Sequence, residues 1–382
     1  MNPSIVECVL NLAEQIQQIP APTFGESQRA EFIRQYFYNL GVKDVWMDEA
    51  GNVYSRIRGQ GKKPAIVVTA HLDTVFPQST NLTLVRTPEK ISGPGIGDNS
   101  LGLAGLFGLY WAFNDVHGGL STIPCLDGDL WLVANVGEEG LGDLQGMKAV
   151  VKQFRDDTLA YIVLEGMSFG KIFHRGLGVR RYRISVHTRG GHSWVDYGNP
   201  SAIHELADLV VKIKDLPIPA EPRTSKNVGM VTGGTSVNTI AADASFELDL
   251  RSESPQALSD LIKQVELVVE EADRIGDGAI RVSAEIIGDR PAGELQKEHP
   301  LVKLAMERYA EIGINALLNI GSTDANEPLS RGLPAICVGL TTGGGAHTLS
   351  EYIDTKPLAQ GLGVLVDLIQ AIFREGINIK SR

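Results

Sequence analysis

Three apolar runs constrain this chain more than any other feature: "AIVVTAHLDTV" at 65–75, "LWLVANVGEEG" at 130–140 and "LAYIVLEGM" at 159–167. Each is almost continuously hydrophobic, so each reads as a strand buried on both faces. Helix-like segments separate them. "GIGDNSLGLAGLFGLYWAF" opens on a Gly-rich turn, and "GLGDLQGMKAVVKQF" follows the second run. Buried strands joined by helices require an α/β unit, a mostly parallel mixed sheet flanked by helices. In such sheets the functional groups collect beyond the carboxyl ends of the strands. The runs end on His71 and Asp73, on the pair Glu138 and Glu139, and on Glu165, while Asp98 stands ahead of the first helix. Adjacent residues of a regular strand face opposite ways, but with Gly137 and Gly140 beside them both glutamates can turn into one cavity.

After about residue 176 the pattern changes. "GVRRYRISVHTRG" alternates polar and apolar, as a half-buried antiparallel strand does. Helix ("PSAIHELADLVVKIKDL"), strand ("ASFELDLRS"), helix ("SPQALSDLIKQVELVVEEADRI") and strand ("IRVSAEII") follow. The first pattern returns near residue 287, with the helix "HPLVKLAMERYAEIG", the short buried strand "PAICVGL" and a last helix, "LAQGLGVLVDLIQAIF". The expected organisation is an α/β domain in two parts, 1–176 and 287–382, around an inserted α+β domain at 177–286. Ile5, Val9, Leu12 and Ile16 predict an opening amphipathic helix, and "VHGGLSTIPCLDGD" a small loop insertion.

Composition narrows the partners. A net charge of −11 without a long basic cluster argues against nucleic acid. Cys8, Cys125 and Cys337 are odd in number and far apart, so neither a disulfide framework nor a cysteine metal site is expected, and a reducing compartment fits. The first twenty residues lack the basic start and apolar core of a secretory signal, and no stretch is long and apolar enough to span a membrane. The expectation is a cytoplasmic protein with neither nucleic acid nor membrane as partner.

"TTGGGAHTLSEYID" follows the "PAICVGL" strand and adds His347 on a Gly-rich loop. Singly, these residues have ordinary readings: Asp98 as a helix cap with Asn99 and Ser100 beside it, Glu165 as a hydrogen-bonded buried acid, the glutamate pair as a solvated turn. Together they place two histidines and several carboxylates on turns after core strands. Burying those carboxylates without cations would cost several kcal/mol each. Imidazole plus carboxylate, with no thiolate, suits zinc, manganese or cobalt.

"TAHLDTV", "GIGDNSLGLA", "VGEEG", "GGHS" and "GAHTLSEYID" resemble the motifs of one di-zinc metallopeptidase and deacylase family, and "IPAPTFGE" resembles its N-terminal signature. That family includes glutamate carboxypeptidase, peptidase T, acetylornithine deacetylase and succinyl-diaminopimelate desuccinylase. The resemblance runs from about residue 10 to residue 374, in the family's order. It implies a zinc exopeptidase-like catalytic domain with an inserted lid and dimerisation domain, and two divalent metal ions, zinc foremost. His71, Asp98 and Glu165 resemble the ligands of one ion, and Asp98, Glu139 and His347 those of the other, Asp98 bridging. Asp73 resembles the carboxylate that orients the His71 imidazole, and Glu138 the general base. In the lid, His192 resembles a donor to the oxyanion, and Asn238 and Arg251 resemble residues that bind the substrate's carbonyl or carboxylate.

The implied activity is exopeptidase hydrolysis of an amide bond in a small peptide; the alternative is an N-acyl amino acid deacylase of the acetylornithine deacetylase kind. Two features depart from a single subfamily. Glutamate at 165 accompanies carboxypeptidases and deacylases, although the chain otherwise looks like peptidase T, and the lid loop "SVNTIA" lacks the proline common there. A binding protein with a degraded site would not need Glu138. A nucleotide-binding enzyme would need a GxGxxG or P-loop, and "GGTS" and "TGGG" are too short. The resemblance further implies a cis peptide at Asp98–Asn99 and a homodimer through the lid, in which His192 serves its own subunit or its partner. "RRYRISVHTRGG" is expected as an edge strand open to that pairing.

Overall fold

The structure, a computed structural model, describes residues 1–114, 126–155 and 157–376. Most of the expected loop insertion, residues 116–125, lies outside the described residues. The chain divides into two compact units: Met1–Gly176 with Gly293–Arg382, and Leu177–Ala292.

The first unit opens with helix α1 (Pro3–Gln17). The Asn2 side chain accepts from Ser4 N at 2.9 Å and Pro3 sits in the first turn, where no intrahelical N–H is lost. Its buried stripe contains Ile5, Val9, Leu12 and Ile16, the residues whose spacing predicts it. Helix α2 (Ser27–Asn39) and strands β1 (Val45–Met47), β2 (Val53–Ile57) and β3 (Ala65–His71) follow. Helix α3 (Gly102–Asn114) is apolar on every side and is buried accordingly. A Cβ on its Gly105 would come 2.4 Å from Leu340 Cδ1, so the absence of a side chain there permits the close packing. Then come β4 (Leu130–Asn135), α4 (Gln145–Phe154), β5 (Thr158–Glu165) and β6 (Lys171–Gly176).

The inserted unit contains β7 (Gly178–Thr188), α5 (Ala202–Asp215), β8 (Thr224–Gly233), β9 (Asp243–Ser252), α6 (Pro255–Ile275) and β10 (Ile280–Arg290). The chain returns to the first unit through β11 (Gly293–Glu294), α7 (Pro300–Glu311), β12 (Leu317–Gly321), β13 (Ala335–Gly339) and α8 (Leu358–Glu375).

The sheet of the first unit has the order β1-β2-β4-β3-β5-β13-β6-β11, with β12 also paired to β6. Its central pairs, β4–β3, β3–β5 and β5–β13, are parallel. The flanking pairs β2–β4 and β13–β6 are antiparallel. This is the expected mixed α/β sheet, with helices α1, α3 and α8 packed on one another beside it.

The inserted sheet has the order β8-β9-β7-β10 and is antiparallel throughout. One expectation is overturned here. The "RRYRISVHTRGG" strand is not an edge: β7 is paired on both sides, to β9 and to β10. Its alternation records one face against helices α5 and α6, with Tyr182, Ile184 and Val186 inward, and says nothing of its neighbours in the sheet. The edges are β8, which sequence patterning missed, and β10. The second unit also runs on to Ala292, because β10 continues to Arg290 instead of ending near residue 287. Among the described residues no helix is long and apolar enough to cross a membrane.

Candidate metal centre

The parallel register decides which strand ends meet. His71 is level with Asn135, and Glu165 with Gly339. Two residues past Asn135 the chain turns through Gly137, whose φ of +66° only glycine adopts freely, and presents Glu138 and Glu139. Beyond β13, the loop to residue 354 carries His347, itself at φ +64°. A non-glycine residue there is strained, a condition that concentrates at functional sites.

These side chains converge. His71 Nε2 lies 3.0 Å from Asp98 Oδ1 and 3.9 Å from Glu165 Oε2. His347 Nε2 lies 3.1 Å from Asp98 Oδ2 and 3.0 Å from Glu139 Oε1. Asp98 thus turns one oxygen to each imidazole. Ligand atoms of His71, Asp98 and Glu165 lie within 4.8 Å of one another; so do those of Asp98, Glu139 and His347, and those of His71, Glu138 and Glu139. Among the described residues the ion pairs of Asp98, Glu139 and Glu165 run to these two imidazoles and to no Lys or Arg.

The turns that present them are held by residues that spacing did not single out. Asp98 is not a helix cap. It lies in a wide turn, Ile96–Leu101, ahead of α3, and its peptide bond to Asn99 is cis, as the resemblance implied. The Asn99 amide donates to Leu164 O at 2.8 Å and accepts from Gly166 N at 3.0 Å, bracketing Glu165 from both sides. Buried Glu351 accepts from Gly95 N, Gly97 N and Asp98 N at 3.1, 2.7 and 2.8 Å. It joins the His347 loop to the Asp98 turn.

Asp73 lies beside His71, and the contacts divide its main chain from its side chain. The imidazole Nδ1 is 3.0 Å from the Asp73 carbonyl oxygen and 3.5 Å from Oδ1. With Nδ1 donating its proton there, Nε2 is left facing Asp98 and Glu165. The carboxylate accepts from Glu138 N at 2.9 Å, Glu139 N at 2.8 Å and Thr23 Oγ1 at 2.9 Å. Glu26 accepts from Gly137 N at 3.1 Å. Three successive N–H groups of the glutamate turn are therefore pinned by two carboxylates. Buried Arg29 donates to Leu72 O at 2.8 Å, between His71 and Asp73. Glu26 and Glu351 fall inside "IPAPTFGE" and "GAHTLSEYID", so the motifs contained them, but neither ends a strand and nothing in their spacing marks a role.

Charge is finely opposed in the cluster. Burial disfavours ionised Asp98, yet hydrogen bonds from His347 and His71 hold its carboxyl well below the usual range. Burial pushes Glu165 well up, and Asp98 and Glu138 nearby add to it against the attraction of His71. Asp98 and Glu139 raise His347 to about 10. Burial lifts Glu351 to about 7. Without a cation, protons must balance this cluster.

The remaining expected residues lie in the inserted unit. His192 is exposed at the end of a two-residue strand, Gly191–His192, paired to Thr239–Ile240; its N–H donates to Asp196 Oδ2 at 2.7 Å, and its Nδ1 accepts from Trp194 N at 3.2 Å and Val195 N at 3.4 Å. Those contacts place the ring proton on Nε2. Asn238 O accepts from Ser193 N at 3.0 Å, which ties the two loops together. Arg251 donates from Nε to Asp249 Oδ2 at 2.6 Å.

Comparison with known proteins follows the same division. Residues 52–173 match the model for peptidase family M28, and residues 176–293 match the M20-type peptidase dimerisation domain. Over 372 residues the chain is 24% identical to the uncharacterized protein YqjE of Bacillus subtilis, covering 93% of this chain and 96% of that one. The structure is similar to that of a tripeptidase from Staphylococcus aureus, with a TM-score of 0.78 at 21% identity over 97% and 99% of the two chains. It is also similar to a dinuclear metal-binding peptidase of the M20 family from Bacillus subtilis, with a TM-score of 0.67 at 15% identity over 97% and 99%. At these identities the solved structures speak for the fold. The two peptidase models adjoin along the chain in the order of the motifs, in accord with the metallopeptidase and deacylase family that those motifs resemble, and they support a hydrolase acting on amide bonds.

Proposed function

We propose that the protein is a di-metal exopeptidase that hydrolyses small peptides, with His71, Asp98 and Glu165 around one cation and Asp98, Glu139 and His347 around the other. The observation that carries this reading is Asp98, whose two oxygens face two different imidazoles at 3.0 and 3.1 Å. The donor set fits: imidazole and carboxylate atoms converge with no Lys or Arg among their ion-pair partners in the described residues, and the chemistry suits zinc, manganese or cobalt. When bound, such cations supply Lewis acidity, acidifying water and polarising an amide carbonyl.

The chain's own residues do the rest. Glu138, held at its backbone by Asp73, takes a proton from water and returns it to the leaving amine. Asp73, Glu26, Asn99 and Glu351 keep the ligand turns in place, so that little reorganisation is needed during reaction. His192, with its proton on Nε2, donates to the developing oxyanion. Asn238 and Arg251 assist with the substrate's carbonyl or carboxylate; Arg251 must share its charge with Asp249 to do so. The dimerisation-domain match supports a homodimer through the inserted unit, with β8 and β10 as the edges open to pairing.

Glu165 keeps the deacylase reading in play, since glutamate there accompanies carboxypeptidases and deacylases. One experiment separates the two. Load the protein with zinc, manganese or cobalt, incubate it with dipeptides, tripeptides and N-acyl amino acids, and quantify released amines. Peptide cleavage with inert N-acyl amino acids is the expected result; the reverse preference would establish the deacylase, and no cleavage of either would remove both.

A further inference from the structure

The segment "IPAPTFGE" is stitched to both strand ends that carry the glutamate pair and its partners. Thr74 N donates to Ala21 O at 2.8 Å. Thr23 Oγ1 donates to Asp73 Oδ2 and reaches the Glu139 carbonyl at 3.5 Å, and Glu26 holds Gly137 N. Between these anchors lies Phe24. The bond from Gly25 N to Pro22 O, 2.7 Å, closes a β-turn with Thr23 and Phe24 at its centre. Phe24 occupies the position that takes positive φ, at +71°, where glycine is the unstrained residue. A bulky ring in a glycine position gains nothing from burial either, because it is 66% exposed.

Two other site loops repeat the exposure. Leu141, two residues past Glu139, is 47% exposed, and Leu349, two residues past His347, is 69% exposed. In the inserted unit, Trp194, Val195 and Tyr197 stand exposed just after His192, and Val237 stands exposed beside Asn238. Segments that present polar site groups thus also present large apolar side chains to water.

We propose that Phe24 is a specificity-determining residue whose ring receives a large apolar side chain of the peptide substrate, with Leu141 and Leu349 completing an apolar rim. This rests on the peptidase reading above and adds the substrate class: peptides with leucine- or phenylalanine-like side chains over those with glycine or alanine. The turn that carries Phe24 is bonded through Thr23 to Asp73 and Glu139, and its positive φ is a backbone cost that a purely structural role does not explain.

The test uses Phe24→Gly, which relieves the turn while removing the ring, so a folding failure is not expected, and Phe24→Leu, which restores an apolar side chain. Metal-loaded wild type and variants are assayed on peptides whose residues step through Gly, Ala, Leu and Phe. For Phe24→Gly, kcat/KM on Leu and Phe peptides should fall about tenfold, mainly through KM, with Gly and Ala peptides within about twofold and metal content unchanged. Phe24→Leu should recover most of the loss. An unchanged ranking, or an equal fall on every peptide, overturns the proposal while leaving the peptidase reading intact. If wild type cleaves no peptide at all, the peptidase reading fails and the proposal falls with it.

Discussion

The two units treat their polar residues in opposite ways. In the α/β unit the candidate ligands and their supports are largely sequestered: His71, Asp73, Glu138, Glu139 and Glu351 are buried, and backbone N–H groups are spent on orienting them. In the inserted unit the polar residues are laid out on an open sheet face. Arg183 bonds Glu247 and Glu285 there, and Arg181 bonds Asp249. The candidates His192 and Asn238 stand exposed, at and beside a pair of two-residue strands. Buried charge with no cation is expensive, whereas exposed ion pairs are worth little either way. The first region therefore needs a counter-charge, from a cation or from protons, and the second does not. Substitutions in the two regions should differ accordingly.

The largest effect belongs to Asp98. As the group shared by both triads, Asp98→Ala should strip both cations and bring turnover to background. Metal analysis of the purified variant checks this. Two tightly held ions per chain in Asp98→Ala would mean that the bridging assignment is wrong.

The glutamate pair comes next. Glu139 contacts His347, while Glu138 belongs to neither of the triads that share Asp98. Glu138→Gln should keep its metal and lose turnover by about 10²–10⁴-fold, the scale of general-base catalysis. Glu139→Gln should lose the metal on the His347 side. Parallel metal titration and kinetics on the two variants decide the division of labour, and inverted behaviour would swap the roles.

His192 tests whether the exposed candidates matter to chemistry. His192→Ala should slow turnover by about 10²–10³-fold with metal retained, as loss of an oxyanion donor does. If the histidine acts across a dimer, mixing inactive His192→Ala with inactive Glu138→Gln subunits should regenerate activity, because one site then has both groups. Proven subunit exchange without recovered activity would confine His192 to its own subunit.

How much of this was readable in the sequence follows the same contrast. The strand ends were legible because burial on both faces forces continuous apolar runs, and ligand-type residues stand out when they interrupt such runs, as His71, Glu138, Glu139 and Glu165 do. Glu351, Glu26 and Asn99 were not, because their work is to bind backbone N–H and C=O groups from segments 65 to 256 residues away, and no local pattern encodes that partnership. The position of β7 escaped for a related reason. Alternation reports which face is buried, and a central strand with one open face alternates as an edge strand does. Strand β8 escaped because its second half is exposed on both faces and so carries no hydrophobic period.

The smallest effect belongs to the open sheet face. Burial works to raise the Asp249 carboxyl, but Arg251 and Arg181 outweigh it and hold the group below its ordinary value of 3.8. A carboxyl depressed in the folded state contributes stability above its unfolded pKa, and that contribution is lost as pH falls through the folded value. Asp249→Asn should therefore destabilise the inserted unit by no more than about 1 kcal/mol at pH 7, the range for partly exposed pairs. The gap between variant and wild type should shrink below pH 4, within about a pH unit of the unfolded value. Urea unfolding of both proteins at pH 7, 4 and 3 measures the gap, and taking the difference cancels the titrations that the two proteins share. A gap that widens in acid would show that the two arginines do not hold Asp249 in its ionised form. A gap of several kcal/mol at pH 7 would place this face among the structurally demanding parts of the molecule and erase the contrast between the two units.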